Sequence, residues 1–314
     1  MNYYLGTDVG GTNLAAAVVD ENYNILSHAC LPAGSERGIE EITADIYNVA
    51  YEAAQKAGFT FDDFEYWGIG MPSCINPKTG LLVHANCFRW HNADVFSYLK
   101  RHTDIPIYIE NDANCAVLGE QLSGAARGNN NVLLLTIGTG LGSGIIIDGQ
   151  IFAGADGMGA ELGHTKLVYQ GIQCTCGQYG CAESYCSATA LKRLAKEKMN
   201  LSSDSEIDIK ELMEAAERGE QPAEDIIDEY IGYLAAGIST FITILRPEII
   251  ILGGGVSQSG EFFYEKLRAK LPKSTFAGFE VGVPNVTRAT LGNDAGLIGA
   301  AFLGKHKGRH LIAR

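Results

Sequence analysis

Residues 161–183 read ELGHTKLVYQGIQCTCGQYGCAE, one histidine and three cysteines enclosed by two glutamates. His164, Cys174, Cys176 and Cys181 supply one imidazole and three thiolates. That is the donor set of a closed, four-coordinate structural zinc with no position left for a reacting water. The spacing is C-x-C-x4-C with the histidine nine intervening residues upstream. It is not the usual finger spacing, but Gly177 and Gly180 let a chain fold tightly about an ion. Zinc held by thiolates does not call on Glu161 or Glu183, and either carboxylate would be costly to bury unpaired. Both are therefore available to hold a ligand with hydroxyl groups.

Three glycine clusters recur at strand ends: Gly10-Gly11-Thr12, Gly138-Thr139-Gly140 through Gly144, and Gly253-Gly254-Gly255. Glycine lets backbone N–H groups approach a phosphate closely, and a threonine hydroxyl adds an uncharged donor. Any one cluster alone reads as a tight hairpin turn; three in one chain, two of them carrying threonine, point to phosphate. Neither G-x-x-x-x-G-K-[ST] nor G-x-G-x-x-G occurs, which removes the P-loop and the usual dinucleotide fingerprint. Asp8, beside Gly10, is placed either to hold a hydrated Mg²⁺ facing phosphates or to cap a turn. Asn111 and Asp112 stand where a strand turns into a helix. Helix capping and ligand chemistry are compatible roles for Asn111 and compete for Asp112, which could also accept the proton of a ligand hydroxyl.

The elements that must position these residues are strands at YYLGTD, LAAAVVD, 65–71, 105–111, NVLLLTI, IIID and 248–254, with helices at 38–57, 113–123, 187–199 and 224–245. Alternating strands and helices give an α/β class with mixed sheets. Strand, glycine turn and strand open the chain and recur at 131–148, which predicts an internal duplication and two lobes facing each other across a cleft. The acidic segment 202–221 reads as a surface excursion without chemistry.

At 314 residues, the chain exceeds what one core usually organises. A net charge of −13 argues against a nucleic-acid surface, since basic residues gather only at the tail, at Lys305, Lys307, Arg309 and Arg314. The opening run is strand-like rather than leader-like, and no apolar stretch reaches the roughly 18 residues of a membrane span. A cytoplasmic protein with no membrane partner is expected. Cys30, Cys74, Cys87, Cys115 and Cys186 then read as reduced, small hydrophobes.

DVGGTN at 8–13, ENDAN at 110–114, GTGLGSG at 138–144, ELGH at 161–164, C-x-C-G-x-x-G-C-x-E at 174–183, LGGGV at 252–256 and GNDAGLIGAA at 292–301 together resemble the ROK family of sugar kinases, in the family's order over nearly the whole chain. Within that family the chain looks most similar to the bacterial glucokinase branch. The resemblance implies the two-lobed, actin-like ATPase fold (ribonuclease H-like) of the sugar kinase and heat-shock superfamily. It implies a smaller lobe at 1–115, joined by a C-terminal helix at 296–314, and a larger lobe at 116–295 carrying the zinc loop. Asp112 matches the catalytic base, while Asn86, Asn111, Glu161, His164 and Glu183 match sugar contacts. Gly10, Gly11, Thr12, Thr139 and Gly140 match phosphate turns, and Gly254 and Gly255 the adenosine side. Expected partners are a hexose, with glucose first, and ATP with Mg²⁺, in a homodimer or homotetramer.

Two residues depart from the family pattern. Ser73 replaces a glycine near the sugar, and Asn13 follows the first phosphate turn where lysine is common. Rival readings are a kinase of N-acetylmannosamine, allose or fructose, a non-catalytic sugar- or nucleotide-binding regulator, and a zinc protein that binds a partner through the cysteine loop. Family repressors carry a DNA-binding segment ahead of the first turn, and with that turn beginning at residue 8 no such segment is expected here.

Overall fold

The structure, a computed structural model, describes residues 2–306. In chain order the elements are β1 (Tyr3–Val9), β2 (Asn13–Asp20), β3 (Ile25–Pro32), α1 (Ile39–Lys56), β4 (Trp67–Met71), β5 (Cys74–Ile75), β6 (Leu82–Ala85), β7 (Trp90–Ala93), α2 (Val95–Leu99), β8 (Ile107–Asn111), α3 (Asp112–Ser123), β9 (Val132–Ile137), β10 (Leu141–Ile147) and β11 (Gln150–Ile151). They continue with α4 (Glu183–Cys186), α5 (Ala188–Lys198), α6 (Ile209–Glu217), α7 (Ala223–Leu245), β12 (Ile249–Gly253), α8 (Glu261–Ser274), β13 (Asn285–Arg288), α9 (Asp294–Ala301) and α10 (Leu303–His306).

Two five-stranded mixed sheets are ordered β3-β2-β1-β4-β8 and β11-β10-β9-β12-β13. Numbered within its own sheet, each runs third, second, first, fourth, fifth, so the duplication read from the glycine turns extends to the whole strand order. In the first sheet β1 pairs antiparallel with β2 and parallel with β4, and β4 pairs parallel with β8. In the second, β12 pairs parallel with both β9 and β13. A third, three-stranded sheet is ordered β5-β6-β7.

The chain divides into two compact units, the first comprising residues up to Asn130, Gly144–Ala160 and the segment from Thr290 onward. Its sheet is covered on both faces, because alternate residues of a strand point to opposite sides. Leu5 and Val9 of β1 join a core with Ile42, Ile46, Val49 and Ala53 of α1. Those helix positions recur every three or four residues, which gives α1 one apolar face. Tyr4 points the other way, into a cluster with Leu297, Ile298 and Ala301 of α9. Helix α9 lies with its backbone against the sheet: a Cβ on Gly68 of β4 would fall 1.8 Å from the carbonyl oxygen of Ala300. The small residues of GNDAGLIGAA serve this close approach.

The expected lobe boundary at residue 115 falls inside α3, a continuous helix that belongs to the first unit as far as its end. Glu120 shows why. Its carboxylate is buried and accepts hydrogen bonds from the N–H groups of Ala125 (2.7 Å), Thr290 (2.9 Å) and Leu291 (2.9 Å) and from the Thr290 hydroxyl (3.2 Å). The end of α3 is thereby tied to the chain entering α9. Of the C-terminal helix expected at 296–314, α9 and α10 occupy the described part, and residues 307–314 lie outside the described residues.

The second unit comprises Asn131–Ser143 and Glu161–Ala289. Helix α7 buries Ile226, Ile227, Tyr230, Ile231 and Leu234, and the Tyr230 hydroxyl donates to the Cys186 carbonyl at 2.7 Å. It ends on Arg246 in the left-handed conformation, φ 43°, just before Pro247, a common helix stop. The segment 202–221, expected to be a surface excursion, is in part packed into this unit. It contains α6, whose Leu212, Met213 and Ala216 are buried, and whose N-cap Asp208 accepts from the Lys210 N–H at 2.8 Å. Ile209, Leu212, Met213 and Ala216 mark a helical face among the charges. Among the described residues no helix is long and apolar enough to cross a membrane.

Candidate active site and metal centre

In the first unit, three acidic residues gather at the carboxyl ends of neighbouring parallel strands. Asp8 of β1 is registered with Gly70 of β4, and Gly70 with Glu110 of β8. Gly70 makes room for the first turn of α3: a Cβ there would lie 3.2 Å from the Cys115 sulfur and 3.7 Å from the Asp112 Cα. Glu110 is buried, and its Oε1 accepts from the Asn111 N–H (2.8 Å) and the Asn114 side-chain amide (3.0 Å).

Asn111 is the N-cap of α3, its Oδ1 accepting from the N–H groups of Ala113 (2.9 Å) and Asn114 (3.1 Å). Asp112 is the first helical residue, and its Oδ1 accepts from the Ala113 N–H at 2.8 Å. The capping role that competed with chemistry at Asp112 is therefore filled by its neighbour. Burial pushes the Asp8 carboxyl up to about 7, and the nearby charge of Asp112 adds to the rise. Two carboxylates that oppose each other's ionisation suit a divalent cation, whose charge would relieve both.

The first glycine turn is closed by the Gly10 N–H donating to the Asn13 carbonyl at 2.9 Å, and the Thr12 carbonyl accepts from the Ala33 N–H at 2.8 Å. Gly11 and Thr12 are exposed. A Cβ on Gly11 would fall 2.9 Å from that of Cys87. Asn86 opens a 3₁₀ turn, Asn86–Phe88, and its side chain lies outside the described residues. Of the two departures, Ser73 is buried with its hydroxyl donating to the Cys74 carbonyl at 3.1 Å, and Asn13 is exposed at the start of β2.

In the second unit, the glycine turn after β9 is packed on the N-terminus of α5. Ala188 N–H donates to the Gly138 carbonyl (2.8 Å) and the Thr189 hydroxyl to the Thr139 carbonyl (2.8 Å). The Leu141 N–H donates to Oε2 of Glu183 at 3.0 Å, and a Cβ on Gly140 would fall 2.5 Å from that same oxygen. Oε1 of Glu183 accepts from the Thr175 hydroxyl at 3.2 Å. Glu183 is thus held from both sides, by the second glycine turn and by the cysteine loop. Thr175 lies between two of the cysteines and was not singled out in the sequence. Glu161 is exposed and precedes the 3₁₀ turn Leu162–His164, which is anchored by the Leu162 N–H donating to the Ser143 hydroxyl at 3.0 Å.

The ligand atoms of His164, Cys174, Cys176 and Cys181 all lie within 4.8 Å of one another. Zinc–sulfur bonds of about 2.3 Å in a tetrahedron place two sulfurs about 3.8 Å apart. The Cys176 and Cys181 sulfurs are 3.8 Å apart, and the Cys174 sulfur is 3.7 Å from Nδ1 of His164. The donor set and its edges fit a structural zinc, with Nδ1 of His164 as the ligand atom. Lys166 Nζ lies 3.4 Å from the Cys181 sulfur. Cys174 also lies 3.5 Å from Oε1 of Glu183, so the cluster and the candidate sugar residues are in direct contact. The loop turns at Gly180, φ 73°, where a Cβ would fall 1.6 Å from the Val168 carbonyl oxygen.

A cavity of about 1150 Å³ in the second unit is lined by Lys192 and Lys196 of α5, by Asp204–Glu211, Met213, Glu214 and Glu217, and by Gly255, Val256 and Gln258–Gly260. Gly254, φ 83°, sets the turn that brings Gly255 to this wall; a Cβ on it would fall 2.5 Å from the Ile137 carbonyl oxygen. The segment to which the sequence attached no chemistry forms much of the lining.

The ROK family model matches residues 4–307 of the chain. Thermotoga maritima glucokinase is 35% identical, over 96% of this chain and 97% of that protein. The crystal structure of a ROK hexokinase from Thermus thermophilus superposes with a TM-score of 0.84 at 32% identity, covering 98% of this chain and 100% of the other. A ROK family glucokinase from Streptomyces griseus, crystallised with glucose and AMPPNP, gives 0.81 at 34% identity, covering 96% and 99%. Two mixed sheets of one strand order, the four-ligand cysteine cluster and this similarity along nearly the whole length lead to one conclusion: the chain is a glucokinase-like member of the ROK family, with the α/β fold of the actin-like sugar kinases.

Proposed function

We propose that the chain transfers the γ-phosphoryl group of ATP to a hexose, with glucose as the preferred acceptor and glucose 6-phosphate as the product. The observation that carries the reading is the placement at the start of α3: Asn111 caps the helix, and Asp112, its first residue, has its charge close enough to the buried Asp8 carboxyl to raise it. In this reading Asp112 takes the proton of the attacking sugar hydroxyl as the oxygen–phosphorus bond forms and the bond to the β-phosphate oxygen breaks. A positioned base of this kind is typically worth about 10² to 10⁴ in rate. The transition state is loose, so positioning and electrostatics supply most of the acceleration.

Glu161 and Glu183 accept hydrogen bonds from sugar hydroxyls. His164, its Nδ1 turned to the metal, presents Nε2–H as a fixed donor. Asn86 and Asn111 complete the sugar contacts. Gly10, Gly11, Thr12, Thr139 and Gly140 offer N–H and hydroxyl donors to phosphate, and Gly254 and Gly255 shape the wall for the adenosine. His164, Cys174, Cys176 and Cys181 would hold a zinc that fixes the loop of Glu183 and His164, and Asp8 would hold Mg²⁺ brought by ATP, whose charge would offset that of the phosphates.

The names of the similar proteins support both a glucokinase and a broader hexokinase, and a panel of sugars decides between them. Glucose, fructose, allose and N-acetylmannosamine are offered with MgATP to zinc-loaded protein, and ADP release is followed. Glucose is expected to give the highest kcat/KM. A different best sugar would reassign the substrate, and no ADP release with any sugar would overturn the kinase reading.

A further inference from the structure

The sheet β5-β6-β7 carries two histidines outside the carboxylate cluster and the cysteine loop. β6 pairs antiparallel with β7, and His84 stands directly opposite His91. Both side chains therefore leave the same face of the sheet. Both residues are exposed. Their Nδ1 atoms are 3.0 Å apart, and the rings lie with centroids 4.5 Å apart and planes inclined at 50°. Two ring nitrogens this close can share a proton or a metal ion.

The separation selects among metals. An ion about 2.0 to 2.1 Å from each nitrogen, the usual distance to imidazole, would see nitrogens 3.0 Å apart at an angle of roughly 91 to 97°. A tetrahedral ion requires about 109° and would hold them about 3.3 Å apart. Right-angled coordination is the preference of tetragonal Ni(II) and Cu(II) rather than of structural zinc.

We propose that His84 and His91 form a cross-strand chelate for a tetragonal divalent transition-metal ion, separate from the cysteine cluster. Both imidazoles bind as neutral ligands through Nδ1, with water completing the coordination. The two histidines bracket the turn Asn86–Phe88. A bound ion would close the hairpin around that turn, whose Cys87 sits where a side chain on Gly11 would strike it. The chelate would thereby steady the surface on which the first glycine turn rests. This inference stands whether or not the chain is a sugar kinase.

The test titrates Ni(II) into tag-free, full-length protein already loaded with zinc, by calorimetry, beside His84→Gln and His91→Gln. Both substitutions are at exposed positions, and circular dichroism and zinc content verify that each variant keeps its fold. One Ni(II) per chain is expected in the parent, bound about tenfold to a hundredfold more weakly in each variant. Absence of Ni(II) binding, or unchanged affinity in either variant, would reduce the pair to a shared hydrogen bond and overturn the proposal. Zn(II) binding more tightly than Ni(II) at these two residues would overturn the right-angle argument.

Discussion

Asp8, Glu110 and Asp112 stand at the ends of parallel strands whose ladder hydrogen bonds fix the backbone beneath them. Cys174, Cys176 and Cys181 lie on a stretch whose β pairing amounts to two isolated bridges, Lys166 with Cys181 and Gln173 with Tyr179. In the first region regular secondary structure does the positioning. In the second, a few turns and the metal ligands must supply the rigidity that the absent ladder would have given. The two regions should therefore fail differently, one by losing chemistry on a bound substrate and the other by losing the binding geometry.

The largest effect expected is at Asp112. Asp112→Asn keeps the shape and loses the proton acceptor, so kcat should fall by about 10² or more while sugar KM changes little. Steady-state kinetics with the sugar and with ATP read both quantities. Turnover above a third of the parent rate would assign Asp112 to helix structure alone and erase the contrast between the regions.

Metal removal should act on the other quantity. Chelation, or Cys176→Ser, is expected to raise sugar KM about tenfold to a hundredfold, with a much smaller change in nucleotide KM. Elemental analysis should find one zinc per chain in the untreated protein. Metal-free protein that binds sugar with unchanged affinity would separate the cysteine loop from the sugar residues.

A smaller effect tests the join between the second glycine turn and Glu183. Gly140→Ala places a Cβ 2.5 Å from the Glu183 carboxylate, whereas a Cβ on Gly138 meets nothing within 4 Å. Displacing the carboxylate from the Leu141 N–H should raise sugar KM by about tenfold, in line with the loss of a hydrogen bond to a charged group. Gly138→Ala should leave sugar KM unaltered. Equal sugar KM in the two variants would show that Glu183 is positioned by the cysteine loop alone.

Much of this was legible in the sequence because it is local. The donor types of 161–183, the two strand-turn-strand repeats and the apolar periodicity of α1 and α7 are properties of short windows, and local sterics and hydrogen bonding carry them into the structure. The helix in 202–221 was missed, because the charged residues around Ile209, Leu212, Met213 and Ala216 hid its period.

What only the tertiary structure decided involves residues distant in the chain. That Asn111 rather than Asp112 caps α3 depends on backbone geometry at one junction, where both residue types are good caps. That Asp8 is pushed up to about 7 depends on burial and on a charge more than a hundred residues away in sequence. Glu120 holding Thr290 and Leu291, and Glu183 lying beside Gly140, are contacts of the same kind. Local composition determines which groups are available and which elements carry them. Electrostatics and close packing act through space, so the pairing of those groups is settled only when the strands and helices are laid against one another.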